Sequence, residues 1–327
     1  MSNHPGNAND RKESFAIIVV SALFLVPIAL LLALFIHESR KNIDFVNKEI
    51  AGLDYARTVW PVITDVLSTQ GEKLAVVAHR WNGIRRAGEA YDREMGTLGA
   101  RVALGRAMSQ TGDTQQAAVQ ILDAAIALIN TIDDGSNLTL DTDLESFYVM
   151  DSVTVKLPAL AIQSAWLVAD AIQEPVSDSD APRNARRASS GTVEAFQASL
   201  SAFDRSVDAI VRASGVPQPV LAAARNRIDA IASSLVLALS RRAAQSASPA
   251  GAVLNRELVQ AEARYWDVAT GQLRRVLEAR ANRLLRTQWI NLLAVVAVCL
   301  GIFFIVGLMA FSANRSLDKI ARIFRRR

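Results

Sequence analysis

The stretch 289–311, WINLLAVVAVCLGIFFIVGLMAF, decides the fold. It runs 23 residues without a charge, and an α-helix needs only ~20 apolar residues to cross the roughly 30 Å hydrocarbon core of a bilayer. A second run, Phe15–Ile36, reads FAIIVVSALFLVPIALLLALFI and is interrupted only by Ser21 and Pro27. The 51% hydrophobic content and the mean hydropathy of +0.19 are both high for a water-soluble chain, and these runs carry part of that apolar mass. The first run is too long for the core of a signal peptide, and HESRKN follows it where small residues would mark a cleavage site. Both runs are therefore expected to be membrane helices.

Orientation follows from Lys and Arg close to the span ends. Arg11 and Lys12 precede the first span, and Arg315, Lys319, Arg322 and Arg325–Arg327 follow the second. Both tails, 1–14 and 312–327, read as cytoplasmic. Arg40, Lys41, Arg280, Arg283 and Arg286 vote the other way, but long intervening domains translocate largely regardless of charge. The order of parts is then a tail at 1–14, a span at 15–36, a periplasmic domain at 37–288, a span at 289–311 and a basic tail at 312–327. The expected location is a bacterial inner membrane.

The single cysteine, Cys299, lies inside the second span, so packing alone must hold the external domain. The net charge of +4 comes mostly from the basic tail, which faces lipid headgroups and forms no nucleic-acid stripe.

Between the spans the apolar residues recur at helical steps. In TQQAAVQILDAAIALINTI (114–132), Ala118, Ile121, Leu122, Ala125, Leu128 and Ile129 form one stripe. Residues 196–211 and 222–239 repeat it, and no sustained alternation suggests a sheet. Gly, Pro, Ser and Asp cluster at 109–113, 133–143, 174–191, 214–219 and 246–251, which marks connections. The first helix is expected to run out of span one to about Ser68 with a kink at Pro61, and the last from about Val253 into span two. The fold class is all-α: two transmembrane helices flanking an elongated helical bundle, single or stacked as two about the 174–191 linker.

One segment, GSNLTLDTDLESFYVMDSVTVKLPAL (135–160), breaks this monotony. Asp133, Asp134, Asn137, Asp141, Asp143 and Glu145 supply oxygen donors, but their spacing does not fit a calcium loop, and no metal or cofactor is expected. Gly135 is placed to close one helix, and Thr142 with Glu145 forms a T-x-x-E box to open the next. The string also resembles a signature in the extracytoplasmic sensor regions of bacterial methyl-accepting chemotaxis proteins and related sensor histidine kinases. Ser136, Asn137, Leu138, Leu140, Asp141, Asp143, Leu144, Ser146, Tyr148, Met150, Asp151, Leu157 and Pro158 match it, and Phe147 stands where Tyr is commoner. Residues 51–66 are similar to the segment just outside span one in that group. VAHRWNG (77–83) departs from its His-Arg-Gly by interposing Trp81 and Asn82.

The resemblance implies a sensor that binds a small molecule or a periplasmic binding protein, pairs as a homodimer, and moves one membrane helix against another. NRSLDKIARIF near the end resembles the first helix of a HAMP linker, and no kinase or methylation region follows it here. The chain is expected either to be a fragment or to act through a cytoplasmic or membrane signalling partner. Arg80, Arg85 and Arg86 can clamp a carboxylate ligand by fork geometry, equally well explained as a solvated face. Tyr148 and Asp151 of the signature complete the candidate ligand set. Three scattered histidines make no zinc site, and no nucleophile motif suggests an enzyme. Trp60, Trp81, Trp166, Trp266, Tyr55, Tyr148 and Tyr265 are read as seam residues of the bundle, and Trp289 as an interfacial anchor. A rival reading is a structural or scaffolding membrane protein whose bundle binds another envelope protein.

Overall fold

The computed structural model describes residues 7–69, 74–109, 115–138, 143–173, 183–242 and 250–324, with side chains for most of 26–308. Asp141, Thr142, residues 1–6 of the first tail, Arg325–Arg327, and parts of the 109–113, 174–191 and 246–251 connections lie outside them. The described residues are all-helical and contain no strand. They form α1 (Asn7–Thr69), a 3-10 segment (Leu74–Arg80), α2 (Trp81–Met95), α3 (Leu98–Ser109), α4 (Gln115–Ser136) and α5 (Leu144–Met150). A π-helical segment (Asp151–Lys156), α6 (Leu157–Gln173), α7 (Arg183–Ser214), α8 (Pro219–Arg242) and α9 (Ala250–Phe324) follow.

Two compact units emerge, one of Val46–Ala279 and one of residues 1–45 with 280–327. In the second unit many of the described apolar side chains are exposed. Val26, Leu30, Leu31 and Leu34 on α1 are exposed, as are Leu293, Leu300, Phe304 and Ile305 on α9. Keeping such side chains out of water is worth roughly 1.5–3 kcal/mol each, so their exposure is what a helix seated in a membrane would show. Two described stretches are long and apolar enough to cross a membrane, Leu144–Ala169 and Gly251–Leu308. They differ in burial: 56% of the apolar window is buried in the first and 0% in the second. The first is a core helix of the Val46–Ala279 unit, apolar because it is enclosed by its neighbours.

In the Val46–Ala279 unit, α4 buries the predicted stripe, Ala118, Ile121, Leu122, Ala125, Leu128 and Ile129, and extends it to Ile132. α1 and α9 run antiparallel. The Trp60 and Trp266 rings stack at 4.4 Å and 7°, while six residues back along α1 Asp54 meets Arg274, eight residues forward along α9. Tyr55, Trp60, Tyr265 and Trp266 are buried, as expected of seam residues. Trp166 is not: it stands 52% exposed on α6. The apolar surround of that helix on its inner face leaves the bulky indole to the outer one.

The α2–α3 corner has no counterpart among the predicted connections. Gly96 ends α2 at φ 71°, a left-handed conformation that costs glycine nothing, and its N–H bonds the Asp92 carbonyl at 2.8 Å. The end of α4 corrects the expected one. Gly135 does not close the helix; Asn137 does, at φ 67°, because an Asn side chain tolerates the left-handed region. Gly135 serves close approach instead, since a Cβ there would stand 2.1 Å from the Met95 carbonyl oxygen. A backbone obstacle cannot rotate away. Gly135→Ala is expected to push α4 from the end of α2 and cost about 1–3 kcal/mol, read as a lower midpoint in chemical denaturation of the detergent-solubilised chain. A midpoint equal to that of the native chain would show that the corner yields freely.

Candidate functional site

The 144–173 region is one helix path with a fault in it. Asp143 caps its start: the Asp143 carboxylate accepts from the Glu145 N–H at 3.0 Å, and the Ser146 hydroxyl donates to the Asp143 carbonyl, while Thr142 of the expected box lies outside the described residues. At Asp151–Lys156 the coil widens to π geometry, with the Leu157 N–H donating to the Ser152 carbonyl five residues back. Pro158 gives the reason. It has no N–H for the Thr154 carbonyl, and its ring crowds that carbonyl in a regular α-helix, so the preceding turn opens.

Polar side chains gather around the opened turn. Thr154 Oγ1 donates to the Met150 carbonyl at 3.1 Å, and Ser152 Oγ to the Val149 carbonyl at 2.7 Å. Tyr265 Oη on α9 donates to Ser152 Oγ at 3.0 Å. Ser206 Oγ on α7 donates to Asp151 Oδ2 at 2.8 Å, and Lys156 Nζ lies 3.4 Å from Asp151 Oδ1. One turn earlier, Gln272 Nε2 on α9 donates to Glu145 Oε1 at 3.1 Å. The Phe203 ring meets the Tyr265 ring edge-on at 4.7 Å. Asp151 thus holds α7 to the faulted helix, and Ser152 and Glu145, which are not among the matched positions, hold α9.

Asp133 approaches the same turn from α4. It is 2% exposed, and burial, its largest influence, lifts its carboxyl from 3.8 to about 7, partly offset by the Thr154 hydroxyl and reinforced by Asp134. The single Thr154 proton is already directed at Met150, so a protonated Asp133 that donates to Thr154 satisfies both groups. A raised folded-state value means the associated stability is present below the ordinary value and is lost as pH rises through the folded one. Native protein is therefore expected to lose stability relative to Asp133→Asn between about pH 4 and pH 7, with the difference flat above. Thermal melts of both chains across that range test this, and parallel curves would refute it.

The structure distributes the arginine candidates. Arg80 Nε donates to Asp65 on α1 at 2.8 Å, Arg85 pairs with Glu89 at 2.7 Å on its own helix, and Arg86 donates to the Asn82 carbonyl at 3.3 Å. Each guanidinium is engaged separately. Tyr148 contributes its carbonyl toward Ser206, at 3.4 Å, and its ring lies edge-on to Phe147. Asp151 is the only member of the candidate ligand set inside the polar gathering by its side chain. Asn137 and Asp143 serve as helix ends and Pro158 as the cause of the π turn.

Three arrangements had no place in the sequence reading. Tyr55, Thr97 and Arg101 all bond the Asp92 carboxylate, with Arg101 Nη2 at 2.6 Å, and so tie α1, α2 and α3. Arg225 on α8 reaches Asp204 at 2.7 Å and Asp208 at 2.5 Å on α7, with Asp229 beside it; burial and then Asp204 push Asp229 up to about 6. Glu262 on α9 is fully buried, and neither carboxyl oxygen has a hydrogen-bond partner. A signal for it exists in the sequence: Leu258, Glu262, Tyr265, Trp266 and Ala269 fall on one helical stripe, with the acid in its middle. No cluster of metal-ligating side chains occurs among the described residues. No protein-family model matches the chain, and no curated protein or solved structure matches it.

Proposed function

We propose that the chain is the sensory input of a transmembrane transducer, anchored in a bacterial inner membrane with both tails in the cytoplasm. The reading is carried by one observation: α9 is a single helix of 75 residues that contains both a bare apolar stretch and the residues gripping the faulted signature helix. α1, 63 residues long, has the same double membership and is locked to α9 by the Trp60–Trp266 stack and the Asp54–Arg274 pair. π turns inside α-helices are rare and frequently mark functional sites, and in this reading the packing of this one against α7 and α9 has two arrangements. A small molecule or periplasmic protein that prefers one arrangement shifts the population, and a rigid helix carries the change. Two copies of the chain acting as a homodimer would give the paired helices such signalling uses. The chemoreceptor-like signature at 136–158 supports the same reading.

To test it, a histidine-kinase output region is fused after Phe324 and a reporter gene is followed while the medium composition is varied. Condition-dependent output that is lost on Tyr265→Phe or Ser206→Ala is the expected result. Constant output under all conditions, with an envelope protein recovered on the bundle, would favour the scaffolding role.

A further inference from the structure

We propose that Glu262 is a proton-binding switch in the α9 seam: the packed bundle holds its carboxyl protonated, and ionisation releases this part of α9 from its packing. This goes beyond the sensory reading and does not depend on it, because the readout is the packing of α9 itself.

The geometry carries it. Glu262 is 0% exposed, and both its oxygens lack a donor. A carboxylate in that position would be a bare charge in an apolar seam, which folded proteins avoid by keeping the group neutral. No neighbour relieves it. Its own helix carries Arg256, Glu257, Arg264 and Asp267, and the elements bonded to α9 or beside it carry Lys48, Glu49, Asp54, Arg57 and Asp65 on α1, Glu145 on α5, Asp151 and Lys156 on the π segment, Asp204, Arg205 and Asp208 on α7, and Arg225, Arg227 and Asp229 on α8, none of which acts on Glu262. Burial alone acts on Glu262, raising it well above its ordinary 4.5. The seam also contains an unmatched donor, Trp60 Nε1, whose ring stacks on Trp266, one turn from Glu262. On ionisation the proton leaves to solvent, and the carboxylate gains donors only from water or from a displaced Trp60. Either requires α9 to shift. The stability linked to this carboxyl is complete below its ordinary value and falls as pH rises toward the folded value.

The test uses the full chain in nanodiscs with Asp133→Asn as background, so that the buried acid beside the π turn is silent, and each comparison is between chains that share Glu49, the buried acid of α1. Hydrogen exchange of 255–270, corrected for its intrinsic pH dependence, is expected to rise by up to about tenfold per pH unit from the ordinary value of 4.5 up to the raised folded value, and to level off above it. Glu262→Gln should abolish the rise and remove a protonated-carboxyl band from the infrared spectrum at neutral pH. Glu262→Met, which replaces the buried acid by an apolar side chain of similar length, should also be flat with pH, and serves if the Gln variant does not fold. Exchange independent of pH in the parent, a rise that survives either substitution, or no carboxyl band lost would each overturn the proposal.

Discussion

Trp266→Ala is expected to destabilise the bundle by about 3–5 kcal/mol, a large share of the 5–15 kcal/mol typical of a folded domain. Trp266 is 1% exposed and lies flat on Trp60. Its removal takes away the transfer energy of a large side chain, leaves a cavity, and deprives Trp60 of a stacking partner worth about 0.5–1.5 kcal/mol. The hole sits between the two helices that also contain the membrane-type runs, so neither can collapse into it without moving the other's bonds, Asp54–Arg274 on α1 and Tyr265–Ser152 on α9. Chemical denaturation of the solubilised chain gives the value. A loss below about 1 kcal/mol would mean that the seam relaxes and that the stack does not hold the helices together.

Asp92→Ala should cost a similar amount for an electrostatic reason. The Asp92 and Arg101 side chains are only 11% and 13% exposed, and removing the acid leaves a nearly buried guanidinium without its bonded counter-charge, with only the weaker pull of Glu89 remaining, while Tyr55 and Thr97 lose an acceptor. Breaking one side of such a pair typically costs about 3–5 kcal/mol, whereas replacing both sides with apolar residues can be neutral. The double variant Asp92→Leu with Arg101→Met is therefore expected to recover most of the loss. If the double variant is as unstable as Asp92→Ala, the cluster's hydrogen bonds to Tyr55 and Thr97 matter more than its charges.

Much of the helical plan was legible because helices announce themselves locally. The 214–219 connection predicted from SGVPQP is the observed gap between α7 and α8, with Gly215 at φ 64°, and the first helix ends at Thr69 against an expected Ser68. The α2–α3 corner was missed and residues 183–191, expected in a connection, belong to α7; a third error came where two residues of similar local preference competed. Gly135 and Asn137 both favour a helix end, and the backbone of Met95, distant in sequence, decided which one ends it. The polar gathering at the π turn was half legible: Asp151 and Pro158 stand in the signature, but Ser206 and Tyr265 lie 55 and 113 residues from the groups they bond. No local pattern distinguishes those two from any other Ser or Tyr on a helix.

The sequence by itself determined the elements: apolar spacing of three and four residues makes helices, an unbroken apolar run makes a stretch that must leave water, and Gly, Pro and Asn end what precedes them. Those are properties of a few consecutive residues. Only the tertiary structure decided that the apolar helix 144–169 lies inside the bundle while 289–308 stays bare, that Arg80 is taken by Asp65, and that Asp133 and Glu262 lose their water. Burial and pairing are set by whichever remote surface arrives, and the free energy of a charge depends on that surface more than on the residue that carries it.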